Sequence, residues 1–322
     1  MRPGLVSIVV PVFNRPGPLA EAVASALAQS HRPIEVVIVD DGSTDATPEV
    51  AARLAREHPE EIRVVRRENG GPGLARESGR QVARGEFLQY LDSDDLLLPR
   101  KLELQVAALR ERPKCGIAYG VCRETEANGS ERTPALRPSD TAIETMFPAF
   151  LAERWWNTVT PLYHAELCAH AGAWSDLRLE EDWEMDARIA ALGPRLAFVP
   201  EVVGSHRDLG GGRLSGGEAL DPRRLRDRAA AHLSILASAL GAGVPAAAPE
   251  RRRFARELFL LARQCGVAGL ADESRALFAA ARSASTPERA RGLDFRLYRA
   301  AAAVAGWRNA ARAAAAFDRR RG

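Results

Sequence analysis

Phe87-Leu88-Gln89-Tyr90-Leu91-Asp92-Ser93-Asp94-Asp95 is the stretch that organises this chain: an apolar run of strand length ending in three carboxylates within four residues. Two unit charges about 4 Å apart repel by roughly 4 kcal/mol at an effective dielectric near 20. A fold crowds acids in this way at low cost only when a cation joins them. Hard oxygen ligands suit Mg²⁺ or Mn²⁺, ions that also hold substrate phosphates. The stretch therefore predicts a buried strand that delivers a metal–diphosphate site at its carboxyl end.

Upstream of it, strand and helix patterns alternate. Ser7-Ile8-Val9-Val10-Pro11-Val12 is a β-branched run suited to a strand buried on both faces. A helix is predicted over Pro18–Gln29, a strand over Ile34–Val39, a helix over Thr47–Glu57 and a strand over Ile62–Val65. The Gly-rich loop Asn69-Gly70-Gly71-Pro72-Gly73 then leads into a helix over Leu74–Ala83. This alternation implies βαβ units: an α/β fold with a mostly parallel sheet flanked by helices. Ligands in such sheets bind beyond the carboxyl ends of the strands, where Asp40-Asp41 and Asp92–Asp95 fall.

Further on, a helix is expected over Pro99–Arg110 and strands over Ile117–Val121 and Val199–Val203. Glu124–Asp140 reads as an excursion or hairpin, and the glycines of 209–217 as a flexible segment. After Asp221 the composition turns to Ala, Arg and Leu, predicting helices near 222–241, 250–265, 269–283 and 293–317. Two domains follow from this reading: an α/β domain over 1–215 and an α-helical region over 216–322.

The length of 322 residues can bury a sizeable core, and 46% hydrophobic with 27% charged residues is ordinary for a globular protein. A net charge of +3 excludes a whole-chain polyelectrolyte binder, so no nucleic-acid partner is expected. The basic residues are almost all Arg and gather in runs such as Arg223-Arg224, Arg251-Arg252-Arg253 and Arg319-Arg320-Arg321. Such runs serve as solvated helix faces or as contacts for an acidic partner. Cys115, Cys122, Cys168 and Cys265 form no CxxC pair or zinc spacing, so reduced thiols in a cytoplasmic protein are expected. The sequence offers no signal-peptide pattern and no apolar window long enough for a transmembrane helix.

Each site motif has two readings when taken alone. Asp41 could accept hydrogen bonds from a nucleobase or ribose, or serve the strand–turn–helix connection, with Gly42 turning the chain and Asp45 capping the next helix. Phe13 could stack on a base or belong to the core. Asn69–Gly73 could bring backbone N–H groups to phosphates with Arg76 as charge partner, or be a plain βα loop. Glu180-Glu181-Asp182-Trp183 opens a helix whose acids suit the macrodipole, or supply a general base. His206 is a surface histidine or a further metal ligand.

In order and spacing these pieces resemble a family-2 glycosyltransferase of the GT-A fold. The resemblance rests on Ser7–Asn14, Asp40-Asp41-Gly42-Ser43-Thr44-Asp45, Asn69-Gly70-Gly71 with Ala75-Arg76, Gly85-Glu86-Phe87, Leu91–Asp95, and Glu181-Asp182-Trp183 before the helix with Arg188. It covers residues 5–208. It implies an inverting transfer of sugar from a nucleotide-diphosphate donor, UDP being the family's commonest nucleotide, to a glycan, glycolipid or similar acceptor, with Mn²⁺ or Mg²⁺ as cofactor. By the family pattern Pro11 and Phe13 border the base and Asp41 bonds it. Asp94 contacts ribose or metal, Asp95 contacts the metal, Asp182 is the catalytic base, and His206 falls near the metal or diphosphate. Glu77 departs from the family's usual Asn, and an acid there should turn away from a diphosphate.

The C-terminal helices match no pattern of the family. They are expected to shape the acceptor site, form a homo-oligomer, or make a peripheral contact with the inner face of a membrane. For the last role Tyr298–Phe317, with Trp307, is the candidate segment. Two competing functions remain: a non-catalytic nucleotide-sugar-binding protein on the same fold, and a sugar-nucleotide pyrophosphorylase. The intact acids argue against the first. The absence of a Gly-rich, Arg-containing loop after strand one argues against the second.

Overall fold

β1 (Arg2–Val12) is buried from Gly4 onward, as its β-branched sequence requires. In the computed structural model, which describes residues 1–126, 130–132, 140–209 and 218–319, it lies between β2 (Ile34–Asp40) and β4 (Gly85–Tyr90), parallel to both. β3 (Ile62–Arg66) extends this parallel half beyond β2. Antiparallel pairing enters with β8 (Leu162–His164), which joins β4 to β6 (Cys115–Glu126). β6 runs parallel to β9 (Arg195–Asp208), and β9 pairs antiparallel with the two-residue β5 (Leu96–Leu97). The order is β3-β2-β1-β4-β8-β6-β9-β5, with β7 (Glu131–Arg132) on β6. The sheet is thus parallel through its first four strands and mixed beyond them. Most of the expected 124–140 excursion and the glycines of 210–217 lie outside the described residues.

Helices α1 (Pro16–Leu27), α2 (Thr47–Glu57), α3 (Pro72–Val82), α4 (Lys101–Glu111) and α5 (Ala165–Ala171) accompany the sheet. α1 buries Leu19, Val23 and Ala26, and α4 buries Leu102, Val106 and Leu109, in one core with Val6, Ile8 and Val10 of β1. Each such aliphatic side chain contributes about 1.5–3 kcal/mol on burial. Beneath the strand ends, the fully buried ammonium of Lys101 donates to Gln89 Oε1 at 2.5 Å, to Gln105 Oε1 and to the Thr160 carbonyl at 3.2 Å. Burial without a carboxylate partner pushes the Lys101 amine well below its ordinary range. These contacts tie β4 to α4 and the chain at Thr160.

The chain forms two compact units. The sheet unit takes Met1–Met146, Arg154–Asp176 and Leu192–Gly211. The helical unit takes Phe147–Glu153, Leu177–Ala191 and Gly212–Gly322. The expected single boundary at 215 thus misses two earlier segments. The reason is α6 (Glu181–Ala191): its Ala187, with Leu151, joins the apolar core of α7 (Pro222–Gly241), α8 (Pro249–Val267) and α9 (Ala271–Ala284). Composition along the chain cannot reveal a core assembled from separated segments.

After the short α10 (Pro287–Ala290), α11 (Leu293–Arg319) kinks at Gly306, whose φ is +80°. Tyr298 and Trp307 pack on Phe278 at ring-centroid distances of 5.6 and 5.4 Å. Tyr298 is thus buried and Trp307 half-buried in the helical unit, while Phe317, at the end of the same segment, is 57% exposed. No helix among the described residues is long and apolar enough to cross a membrane.

Candidate functional site

Two acid-bearing turns follow parallel strands of the sheet unit. The first follows β2. The Asp41 carboxylate is buried and accepts from the backbone N–H of Gly70 at 3.1 and 3.2 Å, from Gly71 N–H at 2.7 Å and from Arg67 Nη1 at 2.5 Å. These contacts come from three donors, the Gly70 N–H being shared between the two oxygens. Asp41 therefore fastens the Gly70-Gly71 loop to the end of β2. Gly42 makes the close approach feasible: its φ is +80°, and a Cβ there would lie 2.8 Å from the Asn69 backbone nitrogen. Asp45 Oδ1 accepts from Thr47 N–H at 2.9 Å and caps α2 as expected.

The same edge carries the end of β1. Pro11 is buried, while Phe13 is 45% exposed and is not a core residue. Asn14 sits at φ +52°. Its N–H donates to Ser43 Oγ at 3.0 Å, and its Oδ1 accepts from Thr44 N–H at 2.8 Å. The ends of β1 and β2 are thus clamped together.

The second turn follows β4. Asp95 N–H donates to the Asp92 carbonyl at 3.0 Å, closing the turn. β5 then pairs with β9, Leu96 opposite Ser205, and this register sets the next residue of β9 beside Asp95. His206 Nδ1 lies 3.1 and 3.2 Å from the two Asp95 oxygens. Arg207 N–H donates to Asp95 Oδ1 at 3.0 Å, and Arg207 Nε to the Asp94 carbonyl at 2.5 Å. Arg15 Nη1 stands 3.3 Å from Asp94 Oδ2.

The three acids of this turn divide electrostatically. Burial would raise Asp92, but the charge and hydrogen bond of Arg76 (2.7 Å), with Arg154 and His206 adding, hold its carboxyl below the ordinary range. Burial and the charge of Asp92 push the Asp94 carboxyl up, against Arg15. Burial also pushes Asp95 up, despite His206, with Asp92 and Asp94 adding repulsion.

Arg76, expected to face phosphates, is itself buried: it holds Asp92 and lies 5.0 Å over the Trp174 ring. Trp174 donates from Nε1 to the Tyr90 hydroxyl at 3.1 Å. Glu77 does turn aside. It takes Arg80 at 2.6 and 2.8 Å, Gln81 at 3.0 Å and the Trp174 N–H at 3.2 Å.

Asp94, Asp95 and His206 suit a divalent cation by chemistry, two hard carboxylates and an imidazole being a donor set that Mn²⁺ accepts. Among the described residues no three His, Cys, Asp or Glu groups stand as a ready cage. Instead the His206 ring turns onto Asp95, so a cation would take over that hydrogen bond. The raised carboxyls of Asp94 and Asp95 mark charge that a cation would compensate.

Asp182 belongs to the helical unit, in the first turn of α6, where it is half-buried and its Oδ1 accepts from Trp183 N–H at 2.7 Å. Glu180, just before the helix, holds φ +59°, a costly conformation for a non-glycine residue. Its carboxylate receives Arg228 Nε at 3.0 Å and lies 2.9 Å from His232 Nδ1. Burial would raise the Glu180 carboxyl, yet His232 and Arg228 bring it below the ordinary range. Trp183 Nε1 donates to the Phe150 carbonyl at 2.9 Å. The start of α6 is therefore pinned at Glu180 and Trp183, on either side of Asp182.

Sequence reasoning passed over Arg15, Arg67, Trp174 and Arg207. Only Arg207, next to His206, carried a local signal. The others act through partners 26 to 98 positions away and become visible only when the strands pair.

Residues 7–169 match the sequence profile of "Glycosyl transferase family 2". An uncharacterized glycosyltransferase of Rickettsia bellii is 39% identical over 126 residues, which is 39% of this chain and 18% of that protein. The glycosyltransferase GlyG of Streptococcus pneumoniae is 36% identical over 109 residues, 34% of this chain and 36% of that one. The matched stretch thus spans only a minor part of these relatives. Among solved structures, S. aureus TarS 1–349 in complex with UDP-GlcNAc superposes with a TM-score of 0.69 at 21% identity, covering 95% of this chain and 89% of that one. A mannosyltransferase of Pyrobaculum calidifontis in complex with GDP-Man and Mn²⁺ gives 0.54 at 22% identity, covering 97% and 87%. These two likenesses are likenesses of fold.

Proposed function

The chain belongs to glycosyl transferase family 2, and we propose that it moves a sugar from a nucleotide-diphosphate donor to an acceptor hydroxyl with inversion at the anomeric carbon. The observation that carries this reading is the Asp92–Asp95 turn. It closes against His206 and Arg207 of β9, and its last two carboxyls are raised. UDP is the favoured donor nucleotide, a choice supported by the UDP-GlcNAc complex of TarS. The GDP-Man and Mn²⁺ complex of the mannosyltransferase supports a divalent cation. The acceptor is a glycan, a glycolipid or a similar hydroxyl compound.

In this mechanism Asp94, Asp95 and His206 would hold the cation, and Asp92, fixed by Arg76, braces the turn that presents them. When bound, the cation neutralises charge developing on the departing diphosphate. Asp41 keeps the Gly70-Gly71 loop closed, and exposed Phe13 offers its ring to the base. Asp182 takes the proton of the acceptor hydroxyl as that oxygen bonds to the anomeric carbon. The bond to the diphosphate oxygen breaks on the opposite face, its electron pair leaving with the nucleotide. Within the helical unit the start of α6 is pinned on either side of this carboxylate.

Calorimetry of UDP binding to the wild type and to Asp95→Ala, with and without Mn²⁺, tests the reading. The expected result is Mn²⁺-dependent binding in the wild type that Asp95→Ala loses. Equal affinity with and without Mn²⁺ in the wild type would overturn the metal assignment.

A further inference from the structure

The helical unit contains a cavity that the transferase reading leaves unused. It measures about 230 Å³ and is lined by Arg252 and Arg256 of α8, by Thr286 and Arg289 beside α10, and by the rings of Phe259 and Phe295. A bulk water claims about 30 Å³, so the space holds a few heavy-atom groups, such as a phosphate with a short organic arm.

The run Arg251-Arg252-Arg253 separates here into three different roles. Arg251 turns inward and donates to the carbonyls of Val244 (2.5 Å) and Ser283 (2.9 Å). Arg253 pairs with Glu257 one turn later, at 3.3 Å. Arg252, between them, is followed one turn later by another cation, Arg256. Neither of these two side chains has an acidic partner among the described residues. Like charges at this spacing destabilise a helix by about 0.2–0.5 kcal/mol. The adjacent row thus uses the same spacing for an ion pair, while the row facing the cavity carries uncompensated charge.

The third cation is held in place. Arg289 lies 4.9 Å over the Phe295 ring and pairs with Asp294 at 2.5 Å. Counting Asp294 and Glu288, the group keeps an excess of one positive charge. Thr286 Oγ1 accepts from the Arg289 backbone N–H at 3.4 Å, and its hydroxyl is hydrogen-bonded to the Glu288 carboxylate. Phe259 and Phe295 stack at 5.0 Å and give the cavity its apolar lining.

We propose that this cavity binds an organic phosphate, its oxygens on Arg252, Arg256 and Arg289 and its carbon portion against Phe259 and Phe295. Guanidinium groups match phosphate oxygens in fork geometry, and an aromatic wall selects an organic ester over the free ion. The site is separate from the donor site and does not rest on the transferase reading. A soluble phosphate ester and a phospholipid headgroup present the same chemistry, and the experiment distinguishes them.

The full chain is titrated with glycerol 3-phosphate by calorimetry, and its sedimentation is followed with vesicles of phosphatidylcholine alone or mixed with phosphatidylglycerol. The test variant is Arg252→Ala/Arg256→Ala, which removes two exposed, unpaired side chains. The control is Arg253→Ala/Arg275→Ala, which removes the same charge from other exposed positions of the unit. Glycerol 3-phosphate binding weakened about tenfold or more in the test variant alone supports a soluble ester. Binding confined to phosphatidylglycerol vesicles, and lost in the test variant alone, supports a lipid headgroup. Wild-type protein that binds neither probe, or equal losses in test and control variants, overturns the proposal.

Discussion

The turn after β2 and the turn after β4 carry the same sequence signal, adjacent aspartates at the carboxyl end of a buried parallel strand. They solve the charge problem in opposite ways. Asp41 is answered by the protein itself through two backbone N–H groups and Arg67. Asp94 and Asp95 keep carboxyls raised by burial and by neighbouring acids, against His206, the Arg207 N–H and Arg15. The first turn is complete as it stands and organises a loop. The second is left short of positive charge, and on our reading it waits for a cation. An acid pair alone does not distinguish structure from site; the difference lies in what has already been supplied to neutralise it.

The largest expected effect falls outside both turns, on Asp182. Asp182→Asn should lower transfer by about 10²–10⁴-fold, the usual worth of a positioned base, while leaving nucleotide affinity in place. Turnover near that of the wild type would remove Asp182 from the mechanism. Next, Asp41→Ala strands the Gly70 and Gly71 N–H groups and the Arg67 charge. At about 1–3 kcal/mol for each unsatisfied buried group, denaturant unfolding should show a loss of about 3 kcal/mol or more. Gly42→Ala attacks the same turn through its backbone and should cost about 1–3 kcal/mol, since a Cβ would meet the Asn69 nitrogen at a positive φ. If Asp41→Ala leaves unfolding unchanged, the contrast between the two turns collapses.

A smaller effect concerns pH. The Glu180 carboxyl is lowered in the folded state, so the unfolded chain binds more protons in the acid range and stability rises with pH there. The contribution is present above the ordinary glutamate range and is lost as pH falls through the folded value. Glu180→Gln should therefore flatten the acid limb of the stability–pH curve and leave the shape above it unaltered. An acid limb as steep in the variant as in the wild type would remove Glu180 from this role.

Much of this contrast is readable in sequence only as position. The β-branched runs of β1 and β2 and the helix α7 fall where periodicity puts them, because each element buries a face of its own. Asp92 sits where the acid cluster was legible, but its partner Arg76, 16 positions upstream, was not legible as such. The short strands β5 and β8 were not legible, since two or three residues acquire strand character only from pairing. Yet β5 is the element that brings His206 to Asp95. The hold of Arg67, Gly70 and Gly71 on Asp41 was equally hidden, because these donors lie 26 to 30 positions away and nothing in Asp40-Asp41-Gly42 announces them. For the same reason the packing of Tyr298 and Trp307 on Phe278 was not legible along α11.

The central claim is that one acid turn is self-satisfied and the other needs a cation. The most direct test is thermal unfolding of Asp41→Asn and Asp95→Asn, each with and without Mn²⁺ and UDP. The account predicts that Asp41→Asn unfolds earlier than the wild type without metal, yet keeps the full stabilisation that Mn²⁺ with UDP confers. Asp95→Asn should match or exceed the wild type without metal and gain nothing from the ligands. The reverse pattern, a metal-free loss in Asp95→Asn and an absent ligand response in Asp41→Asn, would contradict it.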